Sequence, residues 1–106
     1  MPKRSQREER ELATLDKQKV DQPRLYEVVL HNDDYTTQAF VVYVLVTFFH
    51  HDPATANEIM LSVHNKGSGV AGVYPRDMAE TKANQVVTFA RKNEMPLECS
   101  VRRQSC

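Results

Sequence analysis

The sequence predicts a small single-domain α+β fold, in which a three-stranded antiparallel sheet packs on three helices in the order β-α-α-β-α-β. Two observations lead to this prediction. The chain has 106 residues, which suits one domain rather than two, and 41% of them are hydrophobic, enough for a buried core. After Pro23, the spacing of apolar residues changes between the period of a strand and that of a helix from one segment to the next.

The composition divides the chain into residues 1–22 and residues 23–106. The first 22 residues hold six basic and five acidic side chains and few apolar ones, so they can bury little core. We therefore expect residues 1–22 to form a flexible N-terminal extension and residues 23–106 to form the folded domain.

The first half of the domain is predicted to be a strand, a turn and a helix. Leu25–His31 is rich in strand-forming residues and short enough for a strand. A polar turn follows at Asn32–Thr36, and Thr36 takes the position of a helix N-cap. Residue propensity alone favours a strand at Phe40–Phe49, because valine dominates it. Its apolar residues are spaced three and four apart, however, and we predict a helix.

The second helix has clear signals at both ends. Asp52 can cap it, Pro53 suits its first position, and Gly67 is a typical helix end. One face of the segment between them is apolar and is formed by Ala56, Ile59, Met60 and Val63.

The remaining segments complete the predicted sheet. Val70–Tyr74 has the composition of a short strand, and a third helix is expected from Pro75 to about Asn93. The last strand, Leu97–Arg102, alternates apolar and polar residues, which directs one set into the core: Leu97, Cys99 and Val101.

Composition and targeting signals limit the partners and the location. The chain carries 14 basic and 14 acidic side chains, whereas a non-specific nucleic-acid binder carries a basic excess. No apolar run approaches the roughly 20 residues that span a bilayer, and the first ten residues lack the apolar core of a secretory signal. Two cysteines, Cys99 and Cys106, imply no disulfide framework. We expect a cytoplasmic protein without a nucleic-acid or membrane partner.

The familiar motifs of catalysis and cofactor binding do not fit their contexts. Gly67–Gly72 matches the glycine pattern of dinucleotide sites, but it follows a predicted helix and leads into a strand, the reverse of what such a site needs. The spacing of His50, His51 and His64 matches no common metal motif. Cys99 falls on the inward side of a strand with no base nearby in sequence. We expect no metal, no cofactor and no enzymatic activity.

The turn Asn32-Asp33-Asp34 allows two interpretations. It can be a simple helix cap, or it can be a set of acceptors for a cationic ligand. The second interpretation gains support from charge, because residues 23–65 carry a net charge of −4. It also gains support from Met60, Val63 and His64, which lie on one face of the second helix and would place an apolar slot beside the polar turn.

Five segments together resemble the ClpS family, the adaptors of the bacterial ClpAP protease. The resemblance runs from about residue 24 to residue 100 in consistent order and spacing. It is carried by Leu30–Thr37 (LHNDDYTT), Met60–His64 (MLSVH), Gly72–Tyr74 (GVY), Ala79–Lys82 (AETK) and Glu94–Leu97 (EMPL).

The resemblance implies an adaptor that is not an enzyme. It would bind substrates with a destabilising N-terminal residue (Phe, Tyr, Trp or Leu), called N-degrons, and deliver them to the N-terminal domain of the ClpA unfoldase. The N-terminal extension resembles the segment that the family uses for delivery. Three groups of positions match family positions: the α-amino-binding residues Asn32, Asp33 and His64; the side-chain pocket residues Asp34, Thr36, Gln38, Met60, Val63 and Leu97; and, for the ClpA surface, Tyr35, Asp77, Glu80 and Lys82.

The sequence departs from the family pattern at the first helix. Gln38 stands where methionine is usual, so we expect a more polar pocket rim and weaker discrimination against Ile and Val. Tyr43, Val46 and Thr47 occupy places that are often charged or polar, which leaves two alternatives: extra core, or an exposed patch. We expect a mostly monomeric protein whose patch promotes weak self-association.

Two other functions remain as alternatives. One is an interaction module of the same fold with altered ligand choice, which binding of a peptide that begins with Phe would exclude. The other is a metal-dependent hydrolase, which metal analysis of the purified protein would exclude. A ribosomal-stalk-like binding domain shares the element order, but it gives no reason for the Asn32-Asp33-Asp34 turn and His64.

Overall fold

The computed structural model describes residues 24–105, so the predicted extension 1–22 and Cys106 lie outside the described residues. The described chain forms six elements: β1 (Leu25–His31), α1 (Gln38–Phe49), α2 (Pro53–Lys66), β2 (Ser68–Pro75), α3 (Arg76–Lys92) and β3 (Glu98–Arg103). The predicted order is confirmed, including the helix at α1, where residue propensity favoured a strand. None of the three helices is long and apolar enough to cross a membrane, within the residues described.

β1 is the central strand of an antiparallel sheet in the order β2-β1-β3. Its pairing with β2 runs from Leu25 opposite Pro75 to His31 opposite Ser68, with an irregularity after Val28. β3 pairs along the other edge of β1. The sheet therefore fixes the position of the last residue of β1, directly before the polar turn.

The core lies between the sheet and the helices. The largest side chains that are fully buried there come from both the sheet side and the helices: Val28 and Leu30 from β1, Val44 and Leu45 from α1, Val86 from α3, and Leu97 before β3. Burial of each such side chain stabilises the fold by about 1.5–3 kcal/mol. The inward placement predicted for Leu97, Cys99 and Val101 is confirmed.

The predicted N-cap of α1 is wrong by one residue. Thr37, not Thr36, is the N-cap, and its hydroxyl accepts a hydrogen bond from the backbone N–H of Phe40 at 3.1 Å. The hydroxyl of Thr36 instead donates to Asp33. A carboxylate is a stronger acceptor than a neutral group, so Thr36 is drawn into the turn and the next threonine caps the helix.

The apolar outer side of α1 is only partly absorbed into the core. Phe40, Tyr43 and Phe48 all pack on Phe89 of α3, with ring centroids 5.3–5.7 Å apart. Val46 is half-buried, whereas Thr47 is exposed and Tyr43 remains 53% exposed. Both alternatives considered for this helix are therefore present: aromatic rings extend the core, and Tyr43 marks the patch that stays open.

Gly67 ends α2 as predicted. Its φ of 93° lies in the left-handed region, and its N–H donates to the Val63 carbonyl at 2.9 Å. A side chain here would meet no steric neighbour within 4 Å, so glycine is favoured by the backbone conformation alone.

We expect Gly67→Ala to lower the free energy of unfolding by about 1 kcal/mol, because alanine disfavours the left-handed conformation. Gly67→Asn should lose clearly less, since asparagine tolerates that conformation better. Urea unfolding of the two variants and the parent chain measures this. Equal stability of Gly67→Ala and the parent would contradict the stated role of Gly67.

Candidate functional site

A cavity of about 420 Å³ lies between the turn after β1, the start of α1 and the second half of α2. Most of its lining comes from one continuous stretch and the rest from one face of a helix. The lining residues are Asn32, Asp33, Asp34, Tyr35, Thr36, Thr37, Gln38, Val41, Met60, Val63 and His64. The structure therefore joins the polar turn to the helix face that carries Met60, Val63 and His64.

A backbone hydrogen bond joins these two halves. The N–H of Asn32 donates to the carbonyl of Gly67 at 2.9 Å, which ties the residue after β1 to the residue after α2. The pairing of His31 with Ser68 in the sheet lies directly beside it. Both contacts involve backbone groups, and together they hold the turn against the end of α2.

Asp33 organises the turn from within. Its Oδ1 accepts the backbone N–H groups of Tyr35 (2.8 Å) and Thr36 (2.6 Å), and its Oδ2 accepts the Thr36 hydroxyl (2.7 Å). Partial burial by itself raises the pKa of Asp33. The hydrogen bonds from Thr36 and Tyr35, together with the charge of Arg91, outweigh burial and lower the pKa below its ordinary value. Asp33 is therefore an anion at neutral pH.

The cavity has a polar mouth and an apolar interior. Val41, Met60 and Val63 are buried, with 2–6% of their surface exposed. Asn32, Asp34 and His64 are exposed. An amide carbonyl, carboxylates and an imidazole supply acceptors for a cation, and the buried side chains supply an apolar wall. The arrangement can bind a small molecule or chain end that is cationic at one point and apolar next to it.

Most residues predicted for the site lie together in this cavity. That set comprises Asn32, Asp33, Asp34, Thr36, Gln38, Met60, Val63 and His64. Leu97, predicted for the side-chain pocket, does not line it: the residue is 1% exposed and belongs to the core cluster. The alternation of apolar residues correctly predicts that Leu97 faces inward, but it faces the core and not the cavity.

Two lining residues were missed. Thr37 and Val41 line the cavity beside Gln38, because they lie next to it and one turn away on α1. The signal was present in the sequence, since residues three and four apart share one face of a helix.

The four residues predicted for a ClpA surface do not form one compact group. Asp77 and Glu80 are exposed at the start of α3, where Glu80 pairs with Arg76 at 3.2 Å. Tyr35 lines a cavity with Arg91 near the other end of the helix, about 20 Å away at 1.5 Å per residue. Lys82 is half-buried, and its Nζ donates to the Phe48 carbonyl at 2.7 Å.

Neither metal binding nor thiol chemistry is supported within the part of the chain that the structure describes. Between residues 24 and 105, no three His, Cys, Asp or Glu side chains are grouped so as to hold a metal ion. Burial, with a smaller effect from Glu98, raises the pKa of Cys99 to about 12. Cys99 is therefore a protonated thiol at neutral pH and a poor nucleophile.

Comparisons with known proteins agree on one family. Residues 21–100 match the family model described as "ATP-dependent Clp protease adaptor protein ClpS". Proteins named ATP-dependent Clp protease adapter protein ClpS are 58% identical over 83 residues in Syntrophus aciditrophicus and 55% identical over 80 residues in Shewanella piezotolerans. The alignments cover 78% and 76% of this chain, and 78% of each relative.

A solved structure supports the same assignment. Agrobacterium tumefaciens ClpS2 bound to L-phenylalaninamide matches this fold with a TM-score of 0.75 and 37% sequence identity. The match covers 78% of this chain and 100% of that one. The chain belongs to the ClpS family of Clp protease adaptor proteins, which are adaptors and not enzymes.

We expect Thr36→Val to raise the pKa of Asp33 towards its ordinary value, because the carboxylate loses the hydroxyl donor. The free energy of unfolding at pH 7 should fall by about 1 kcal/mol. Thr36→Ser, which keeps the hydroxyl, serves as the control. NMR titration of the Asp33 carboxyl and urea unfolding measure the two effects.

The sign of the pH dependence follows from the lowered pKa of Asp33. The stability that this carboxylate contributes is complete above its unfolded pKa of 3.8 and is lost as the pH falls through the lower folded value. Thr36→Val should therefore lose less stability than the parent on acidification. An unchanged Asp33 titration in Thr36→Val would contradict the account of the turn.

Proposed function

We propose that this protein binds substrates that carry a destabilising N-terminal residue (Phe, Tyr, Trp or Leu) and delivers them to the ClpA unfoldase for degradation. The observation that carries the proposal is the cavity with acceptors at its mouth and buried apolar side chains inside. A chain that begins with a large apolar residue is cationic at its α-amino group and apolar at the adjoining side chain, so it complements both parts.

The α-ammonium group would be bound by Asn32, Asp33 and His64. An ammonium has three N–H donors, and these residues offer an amide carbonyl, a carboxylate and an imidazole nitrogen. The Asp33 oxygens already accept three hydrogen bonds within the turn, which leaves about one of their four lone-pair positions for the ligand. Asp33 would therefore contribute mainly its charge, while Asn32 and His64 supply free acceptors.

The side chain of the first residue would provide most of the affinity. Burying an aromatic side chain removes about 150–250 Å² from water. At about 25 cal/mol per Å², the gross gain is roughly 4–6 kcal/mol before the costs of association. Val41, Met60 and Val63 form the apolar surface that would receive it.

The structural relative supports this choice of ligand. L-Phenylalaninamide, bound to Agrobacterium tumefaciens ClpS2, is a phenylalanine with a free α-amino group and a blocked carboxyl group. It therefore presents both of the features for which the cavity of this chain has complementary groups: a cationic amino group and an adjoining apolar side chain.

Delivery to ClpA rests on surfaces away from this cavity. Asp77 and Glu80, both exposed at the start of α3, are the candidates for contact with the ClpA N-terminal domain. Residues 1–22 are proposed as the extension needed for delivery. We place this function in the cytoplasm, carried out by a chain that is mostly monomeric and associates weakly through the patch around Tyr43.

A degradation assay tests the proposal directly. A reporter protein that begins with Phe should be degraded by ClpAP faster when this protein is added, and the same reporter beginning with Met should not. His64→Ala should weaken binding of a peptide that begins with Phe by about tenfold, the loss of one charge-assisted hydrogen bond. Calorimetry measures the affinity.

Asn65→Ala is the matched control for His64→Ala. Asn65 is the next residue of α2, is exposed and does not line the cavity. Its substitution should leave both binding and delivery unchanged. Degradation at the same rate with and without this protein would refute the proposed function.

Gln38 is predicted to widen the choice of first residue. It lies at the cavity rim as the first residue of α1. We expect Gln38→Met to increase the preference for Leu over Ile and Val at the first position by at least about threefold, because an apolar side chain of similar length excludes water and branched side chains better. Affinities for three peptides that differ only in a first Leu, Ile or Val measure the change. Identical selectivity in parent and variant would exclude this role for Gln38.

A further inference from the structure

A second cavity adjoins the first. It has a volume of about 520 Å³ and is lined by Tyr35, Arg91, Glu94, Met95 and Pro96. Tyr35 is 79% exposed and lines both cavities, so the two cavities meet at this residue. The proposed function leaves this second cavity without an occupant.

The wall of the second cavity is held in place before any ligand arrives. The Arg91 guanidinium donates to the carbonyls of Met95 (2.9 Å) and Leu97 (3.0 Å) and to the Glu98 carboxylate (2.7 Å). The backbone N–H of Met95 also donates to the carbonyl of Ala90 at 2.8 Å. These contacts fix the segment after α3, and a preformed surface loses little conformational entropy on binding.

The polarity of the first cavity orients the first residue of a bound chain, with its amino group at the polar mouth. In the proposed complex, the α-amino group lies beside Asn32 and His64, at the end of α2. Tyr35 lies towards Arg91, at the end of α3. Because Tyr35 lines both cavities, the proposed path of the bound chain runs from the first side to the second across this residue.

The alternation of side chains along an extended peptide determines which residue of the substrate reaches the second cavity. Successive side chains of an extended peptide point to opposite sides, so the first and third side chains share one side. If the first side chain enters the protein, the third points to the same surface, roughly 6.6 Å further along at about 3.3 Å per residue. That advance is about the reach of one tyrosine side chain, and Tyr35 is the residue at which the two cavities meet.

The chemistry of the second cavity favours an apolar side chain. Tyr35, Met95 and Pro96 present apolar surface, and the Arg91 guanidinium is engaged by two carbonyls and a carboxylate. The remaining lining residue, Glu94, is exposed, so its carboxylate can stay in water when an apolar side chain binds. We propose that this cavity binds the side chain of the third residue of the substrate and prefers a large apolar one. The inference rests on the proposed function, since the first residue must occupy the first cavity.

Matched peptides test the proposal. We compare peptides that begin Phe-Ala-Ala, Phe-Ala-Leu and Phe-Leu-Ala and are otherwise identical. Leucine at the third position should tighten binding by about fivefold, which corresponds to burial of about 40 Å² of apolar surface. Leucine at the second position should change it by less than about twofold. Met95→Ala should remove most of the gain at the third position, and Pro96→Ala is the second variant should Met95→Ala be unstable.

L-Phenylalaninamide separates this inference from the proposed function, because it is too short to reach the second cavity. Its affinity should be the same for the parent, Met95→Ala and Pro96→Ala. If it does not bind the parent, the proposed function fails and the inference fails with it. If it binds but Phe-Ala-Leu and Phe-Ala-Ala peptides bind equally, or if both variants keep the full gain, only the third-residue site is refuted.

Discussion

The hydrogen bond from the Asn32 N–H to the Gly67 carbonyl is the contact on which the binding cavity depends. It joins the polar turn after β1 to the end of α2, and so places acceptors beside the apolar residues Met60 and Val63. Gly67 makes this contact while it ends α2 in a left-handed conformation. A single backbone position therefore both ends a helix and fixes the geometry of the site.

The charged groups and the apolar surface of the site come from different parts of the chain. Asp33 commits its carboxylate to the turn, where Thr36 and Tyr35 hold it as an anion by lowering its pKa. It thereby provides a fixed negative charge near the mouth without having to move when a ligand binds. The apolar interior, by contrast, is made of ordinary core residues that reach the surface at one place. Under the proposed function, this division would make a free amino group the condition for entry and the adjoining side chain the main source of affinity.

Much of the fold could be predicted because its signals are local. The helix at α1 was identified from apolar spacing against residue propensity, and the ends of α2 from Asp52 and Gly67. The α1 cap was misassigned by one residue because two adjacent threonines are equivalent in sequence, and only the contact with Asp33 distinguishes them. Competition between donors and acceptors in a turn is a property of three-dimensional geometry.

Prediction of the candidate site from the sequence is limited in the same way. The sequence predicts that the turn and the α2 face form one site, but nothing in it shows that Asn32 reaches Gly67, the contact that joins them. Leu97 lies in the core and does not line the cavity. Its place in the side-chain pocket was implied by the family resemblance, whereas alternation in its strand predicts only that it is buried. The second cavity, around Arg91, depends on side-chain contacts with the backbone of the following segment, and these leave no pattern in the sequence.

Calorimetric titration of one peptide that begins with Phe, with and without N-terminal acetylation, tests the central claim that the cavity recognises a free α-amino group. Acetylation removes the positive charge and two of the three N–H donors while leaving the Phe side chain intact. The account predicts binding of the free peptide and a loss of at least about a hundredfold on acetylation, as expected for two charge-assisted hydrogen bonds. Equal affinity for the two peptides would contradict it.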